Sequence, residues 1–170
     1  LLSHFFAIGD DRHLNDLYVR ADNSTRQFWT VPSAMPRFTG PIYVLTSQHT
    51  GSGAEECAYD LQTQKRATLV GETTWGGANP GGWVPLGHGF KAFIPMARAI
   101  NPITQTNWEH VGVKPDVAVP AGSAMKVAYT AILNDLVKGT TDANEQADLK
   151  GFLARVQSGE LQLPAYSPHR

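Results

Sequence analysis

The sequence predicts a mixed α/β fold built on a parallel β-α-β crossover, on three observations. Two continuous apolar runs, PIYVLTS (41–47) and RATLVGE (66–72), have the length and β-branched content of strands buried on both faces. Between them Ala54, Cys57, Ala58 and Leu61 fall at i, i+3, i+4 and i+7, the stripe of a helix packed on a sheet. The chain has 170 residues, 42% of them hydrophobic and 17% charged. That is enough to bury one sizeable core, so residues 1–170 are expected to form a single domain. A crossover of this kind is right-handed and joins parallel strands.

The remaining elements follow in order. LLSHFF at the start is apolar with no capping residue before it and reads as the end of a helix. On that ground the chain is expected to be the C-terminal part of a longer protein, incomplete at its N-terminus. HLNDLYVRA (13–21) and TRQFWTVP (25–32), joined by the turn formers DNS, predict a hairpin, and PSAMPRFTGP a loop. After the crossover, TTWGGANPGGWVPLGHG (73–89) is dense in Gly and Pro and is expected to be a loop with at most short strands. A loop of that length in a compact domain is usually functional. FKAFIPMARAI (90–100) alternates as one strand, and NPITQTNWEHVGVKPDVAVP (101–120) is a second loop ending in a short extended piece. Two helices close the chain, 122–138 and 142–157, within a C-terminal helical region over 121–160; Gly139 stops the first and Asp142 caps the second.

Composition removes several function classes. The formal net charge is −1 with both signs scattered, so neither nucleic acid nor an anionic membrane is indicated as a partner. Cys57 is the only cysteine, which excludes an internal disulfide framework and a cysteine-based metal site. No apolar run approaches the roughly 20 residues needed to cross a bilayer. No H-E-x-x-H or comparable histidine and carboxylate cluster occurs, so neither a metal nor another cofactor is expected.

Chemistry centres on Ser52, at the break between strand and helix. The conservative reading is a cap, because Ser52-Gly53-Ala54-Glu55 fits the S-x-x-E capping box. The alternative is a nucleophile. A serine at a strand-to-helix turn gains from the unpaired amides and dipole of the helix N-terminus, and the amide of Gly53 can donate to an oxyanion. TGSGA is not the G-x-S-x-G elbow. None of the six histidines, His4, His13, His49, His88, His110 and His169, is singled out as a base by spacing. Glu109, between Trp108 and His110, is placed to orient a base or polarise a water, or is a solvated loop carboxylate. Glu55 and Glu56 suit the first turn of a helix on dipole grounds alone, and Glu72 can simply end a strand.

PIYVLTSQHTGSGAEECAYDLQTQKRATLVGETTWGGANPGG, followed by RAINPITQTNWEHVGVKPDVAVP, resembles the C-terminal processing (tail-specific) family of serine peptidases. The likeness is greatest to the branch that includes tricorn core protease and interphotoreceptor retinoid-binding protein. The resemblance implies a crotonase-like (ClpP-like) ββα core, of which this chain is the C-terminal lobe. It implies that Ser52 is the nucleophile and that Glu109 is the acid of the site. Other members carry a lysine base at the position held here by Gly77; in the tricorn-like branch the base is instead a histidine from the earlier half of the protein. The implied function is a serine endopeptidase whose base lies upstream of this fragment, the fragment alone being inactive. Gly76 and Gly77, in the 73–89 loop, are expected to form part of the substrate groove. The implied partners are a peptide or protein substrate, the missing N-terminal part of the same chain and a homo-oligomer; the family also suggests export to the periplasm or outside the cell. The retinoid-binding relatives keep a second reading open, a non-catalytic binder of lipid or retinoid on the same scaffold.

Overall fold

The computed structural model describes residues 1–32 and 35–167; His169 and part of the expected 32–41 loop lie outside them. The expected hairpin forms. β1 (His13–Val19) pairs antiparallel with β2 (Ser24–Trp29), and β7 (Ala97–Ile100) joins the other side of β1. The crossover forms as well: β3 (Tyr43–Thr46), α1 (Gly53–Thr63) and β4 (Thr68–Gly71) succeed one another, with β3 and β4 parallel in the register Tyr43↔Thr68 to Thr46↔Gly71. The short β8 (Val117–Ala118) extends this sheet beyond β4, in parallel.

Helices cover both faces of that sheet. Ala58 of α1 joins Leu69 of β4, Ala78, Ala99, Trp108 and Val113 in one buried cluster, which ties both long loops to the crossover. On the other face α2 (Ala121–Gly139) packs Ala124 and Ala128 against Val70, and α3 (Ala143–Ser158) lies along α2. Asp142 caps α3 as its sequence predicts, its side chain accepting from the amides of Asn144 and Glu145. Gly139, the expected stop, lies inside the last turn of α2, and Thr140 is its C-cap.

Several elements differ from expectation for identifiable reasons. β3 is not buried on both faces; Leu45 is 38% exposed, because β3 is an edge strand with β4 as its single neighbour among the described strands. The 73–89 segment contains a seven-residue strand, β5 (Gly81–Gly87), paired with β6 (Phe90–Pro95). Its glycines and proline hide it from propensity, yet a Cβ on Gly81 would sit 2.2 Å from the Ile94 carbonyl oxygen, so the close pairing itself requires glycine there. The expected single strand over 90–100 divides at Met96 into β6 and β7, which lie in different sheets. At the N-terminus LLSHFF contains a short 3-10 helix, Leu2–Phe5.

The helical stripe of α1 is less apolar than its spacing implies. Ala54 is exposed, whereas Glu55 and Asp60 are buried with Ala58 and Leu61. Burial, with the neighbouring charge of Glu56, pushes the Asp60 carboxyl up to about 8 against a hydrogen bond from Asn101. The folded chain therefore keeps a proton on Asp60 over a pH range in which the unfolded chain, ionising near 3.8, has lost it. Stability falls as pH rises wherever the unfolded state binds fewer protons, so this contribution is fully present below the unfolded value and declines up to about pH 8. In urea titrations, Asp60→Asn is expected to flatten the decline in midpoint between pH 5 and pH 8. A wild-type slope unchanged by the substitution would place the linked proton elsewhere.

Candidate active site

The chain leaves β3 at Thr46, turns through Ser47 to Thr50, where Thr50 N donates to Ser47 O at 2.9 Å, and enters α1 through Ser52. Ser52 has φ 52° and ψ −125°. That region is open to glycine and costs a residue with a Cβ about 1–3 kcal/mol, whereas an N-cap ordinarily adopts β-region angles. Ser52 and Glu55 occupy the positions of a capping box, and the Glu half is made: Ser52 N donates to Glu55 Oε2 at 2.9 Å. The serine half is only an approach. The Glu55 amide donates to the Ser52 carbonyl at 2.8 Å, and α1 receives no side-chain cap bond. The exposed Gly53, next in the chain, has an amide that takes no acceptor among the described residues.

Two carboxylates then organise the Gly-rich loop. Glu55, at 0% exposure, accepts from Gly76 N at 2.6 Å and Gly77 N at 2.9 Å, and from the Thr74 hydroxyl. Glu109 Oε2 accepts from the next two amides, Ala78 N at 2.7 Å and Asn79 N at 2.9 Å. Four successive amides are thus held by two side chains from distant parts of the chain. The loop's carbonyls are also engaged: Gly76 O accepts from His110 N at 2.8 Å and Gly77 O from Trp108 Nε1 at 3.3 Å. Asn107 steadies Glu109, its Oδ1 accepting the Glu109 amide at 2.9 Å while its Nδ2 donates to Asn79 Oδ1 and Ala99 O.

Ser52, Gly53, Gly76, Gly77 and Glu109 all line one cleft of about 840 Å³. The second loop folds back over the strand-to-helix turn, as any joint role for Ser52 and Glu109 requires. Trp75, 71% exposed, stands at this cleft with its ring over Gly51 and Gly77; a Cβ on Gly77 would lie 2.8 Å from the ring. The ring thus occupies the space into which a side chain at position 77 would project.

His110 is the histidine of the cleft among the described residues, its Nε2 3.7 Å from Glu109 Oε1. Three others serve elsewhere, and His49 is exposed with no side-chain hydrogen bond among the described residues. His13 stacks on Trp29 and bonds Asp16, His4 bonds the Pro36 carbonyl, and His88 sits at positive φ in the β5–β6 turn. Glu72, which the sequence leaves as a strand end, accepts from Gln48 N and from Ala121 N at the start of α2; these bonds lower its pKa.

Sequence reasoning missed the weight carried by Glu55. Its position in a first helical turn was sufficient explanation locally, and only the return of residues 74–77 onto that turn makes it a buried hub. The signal available was Thr74 and the glycines at 76 and 77, small residues that let a loop backbone approach a carboxylate.

A family model for peptidase family S41 matches residues 8–119. The carboxy-terminal-processing protease of Bartonella bacilliformis is 26% identical over 129 residues, covering 72% of this chain and 30% of that protein. Among solved structures, the photosystem II D1 C-terminal processing protease is similar with a TM-score of 0.56 and 22% identity, over 71% of this chain and 30% of its own. A lipoprotein from Streptococcus agalactiae is similar with a TM-score of 0.59 and 12% identity, over 79% of this chain and 48% of its own. The chain spans about a third of the curated relative and less than half of either solved chain.

Proposed function

The chain belongs to peptidase family S41, and from that premise we propose that it is the part of a serine endopeptidase that carries the nucleophile, on a crotonase-like core of the tricorn-like branch. The observation that carries this reading is the backbone of Ser52, held at φ 52° and ψ −125° at the mouth of a cleft it shares with Glu109. A serine needed only as a cap has no reason to sit in so costly a conformation.

In this reading Ser52 Oγ attacks a peptide carbonyl carbon as its proton passes to a base, and the carbonyl oxygen takes up the negative charge. The unpaired amide of Gly53 donates to that oxygen at the positive end of α1. Glu109 keeps Oε1 available while Oε2 holds the loop, so it can orient an imidazole and stabilise its charged form. Gly76 and Gly77 contribute wall rather than main-chain donors, since their amides are engaged by Glu55. The ring of Trp75 over Gly77 supports a base other than a lysine at that position. We assign the base to a histidine outside these 170 residues. The substrate is a peptide or protein.

A fluorophosphonate probe tests the nucleophile in the full-length protein, and casein hydrolysis by that protein and by the 170-residue chain tests the base. Labelling at Ser52 and turnover by the full-length protein alone are expected, because a hydroxyl without a base is a weak nucleophile. Comparable turnover by the isolated chain would put the base within it, with His110 the first histidine to replace.

A further inference from the structure

We propose that Trp75 determines specificity, its indole forming the wall of a subsite for an aromatic side chain, Phe, Tyr or Trp, next to the bond Ser52 attacks; the inference rests on the peptidase reading above. Trp75 and Ser52 line the same cleft. The tryptophan is joined twice to the turn that carries the serine: its amide donates to Thr50 O at 2.9 Å, and its ring lies against Gly51. A Cβ on Gly51 would meet the ring at 3.1 Å. The same edge of the six-membered ring, Cε3 and Cζ3, faces Gly77. Two glycines thus seat one edge of the ring closely, while most of the side chain stays exposed where it lines the cleft.

One exposed tryptophan would signify little by itself. Phe28 of β2 and Phe93 of β6 supply the independent observation, because they line the same cleft and each is half-exposed. Three distant segments of the chain therefore bring exposed rings to one concavity. Apolar surface gathered in a cleft in this way marks a binding site, and it gains from being covered.

The loop behind Trp75 removes another means of recognition. Amides 76 to 79 are all held by Glu55 and Glu109, so a substrate lying along this loop finds no main-chain donor in those four residues. What the loop presents instead is the indole. The occupant is a side chain of the substrate, since Ser52 follows Gly51, on which the ring is seated. Its chemistry follows from the walls. The lining has no Lys or Arg to pair with an acidic side chain, and aromatic rings attract one another, stacked or edge to face, beyond the area they bury. A small side chain such as Ala would leave the rings in water.

The test uses the full-length protein and matched peptides carrying Phe, cyclohexylalanine, Ala or Arg on either side of the scissile bond. At one of the two positions Phe is expected to exceed Ala in kcat/KM by at least about 10-fold, from the apolar area covered. It should exceed cyclohexylalanine, which has the same carbon skeleton without the π-system, by about 2- to 12-fold. Trp75→Leu should bring Phe and cyclohexylalanine level, whereas loss of a merely structural residue would lower both rates alike and keep their ratio. Equal wild-type rates for Phe and cyclohexylalanine, Arg ahead of Phe, or a ratio unchanged in Trp75→Leu would overturn the subsite. The last of these, with a fall in urea stability, is the result expected if another part of the full-length chain covers the ring. A second measurement needs no turnover: the Phe peptide should alter the indole fluorescence of full-length Ser52→Ala and leave that of the double variant Ser52→Ala, Trp75→Phe unaltered. The same change in both proteins would overturn the subsite. Absence of hydrolysis with every peptide, alongside Phe-selective calorimetric binding that Trp75→Leu abolishes, would instead retire the peptidase reading and leave the subsite standing.

Discussion

Ser52→Ala is expected to lower kcat of the full-length protein by on the order of 10⁶, the scale on which loss of a serine nucleophile is felt, with little change in folding stability. The reason for the small structural effect is local. The Ser52 hydroxyl gives α1 no cap bond, and alanine retains both the main-chain bonds of the turn and its strain. Ser52→Gly separates the alternatives further. Glycine accepts φ 52° at no steric cost, so this variant should gain about 1 kcal/mol in urea unfolding while being equally inactive. A cap would behave in the opposite way, with alanine losing about 1 kcal/mol, glycine a few tenths, and catalysis surviving. Near-normal peptidase activity in Ser52→Ala would refute the assignment outright.

Glu55→Gln should have the largest effect on folding, despite changing almost no volume. Both Glu55 oxygens accept, and every group facing them donates: three amides and the Thr74 hydroxyl. Glutamine replaces one acceptor with an NH₂, so at least one pair of donors must face each other in a site with no solvent access. Leaving a buried group unsatisfied costs about 1–3 kcal/mol, and more where a charged acceptor is lost; a total of about 3–5 kcal/mol is expected, read from urea midpoints. Because the Thr74 hydroxyl that donates to Glu55 also accepts from Val113 N at 2.7 Å, and the Thr74 amide donates to Val113 O at 3.2 Å, the disturbance should pass to the second loop and displace Glu109. A loss below about 1 kcal/mol would mean that the loop does not depend on this carboxylate.

The crossover was legible because periodicity speaks directly to it: an apolar run, a 3.6-residue stripe and a second run occur in order. The hairpin was legible from its turn. The candidate site's two residues, Ser52 and Glu109, were reached through residue pattern and family resemblance, and the structure puts both at one cleft. Local sequence could not supply the partners of Glu55, since Gly76 and Gly77 reach it only after β4 has turned the chain back. It could not reveal β5 either, because Gly81, Gly82, Pro85 and Gly87 argue against a strand until Phe90–Pro95 is laid beside them. For β3, an apolar run correctly indicated a strand but not its place in the sheet. Edge and centre differ by what pairs with them, which the run itself does not encode.

The matching of amides 76 to 79 with Glu55 and Glu109 makes this loop a counted structure. Surface loops ordinarily accept insertions and deletions at little cost, and glycine-rich ones most of all. Here one residue added between Thr74 and Asn79 would hand each carboxylate the wrong amides and carry Trp75 off its seat over Gly51 and Gly77. Because the bonds are made by main chain, they count residues rather than read side chains, and what they fix is the length of the segment. The segment that composition marks as the loosest part of the chain is the one whose arithmetic leaves least room for change.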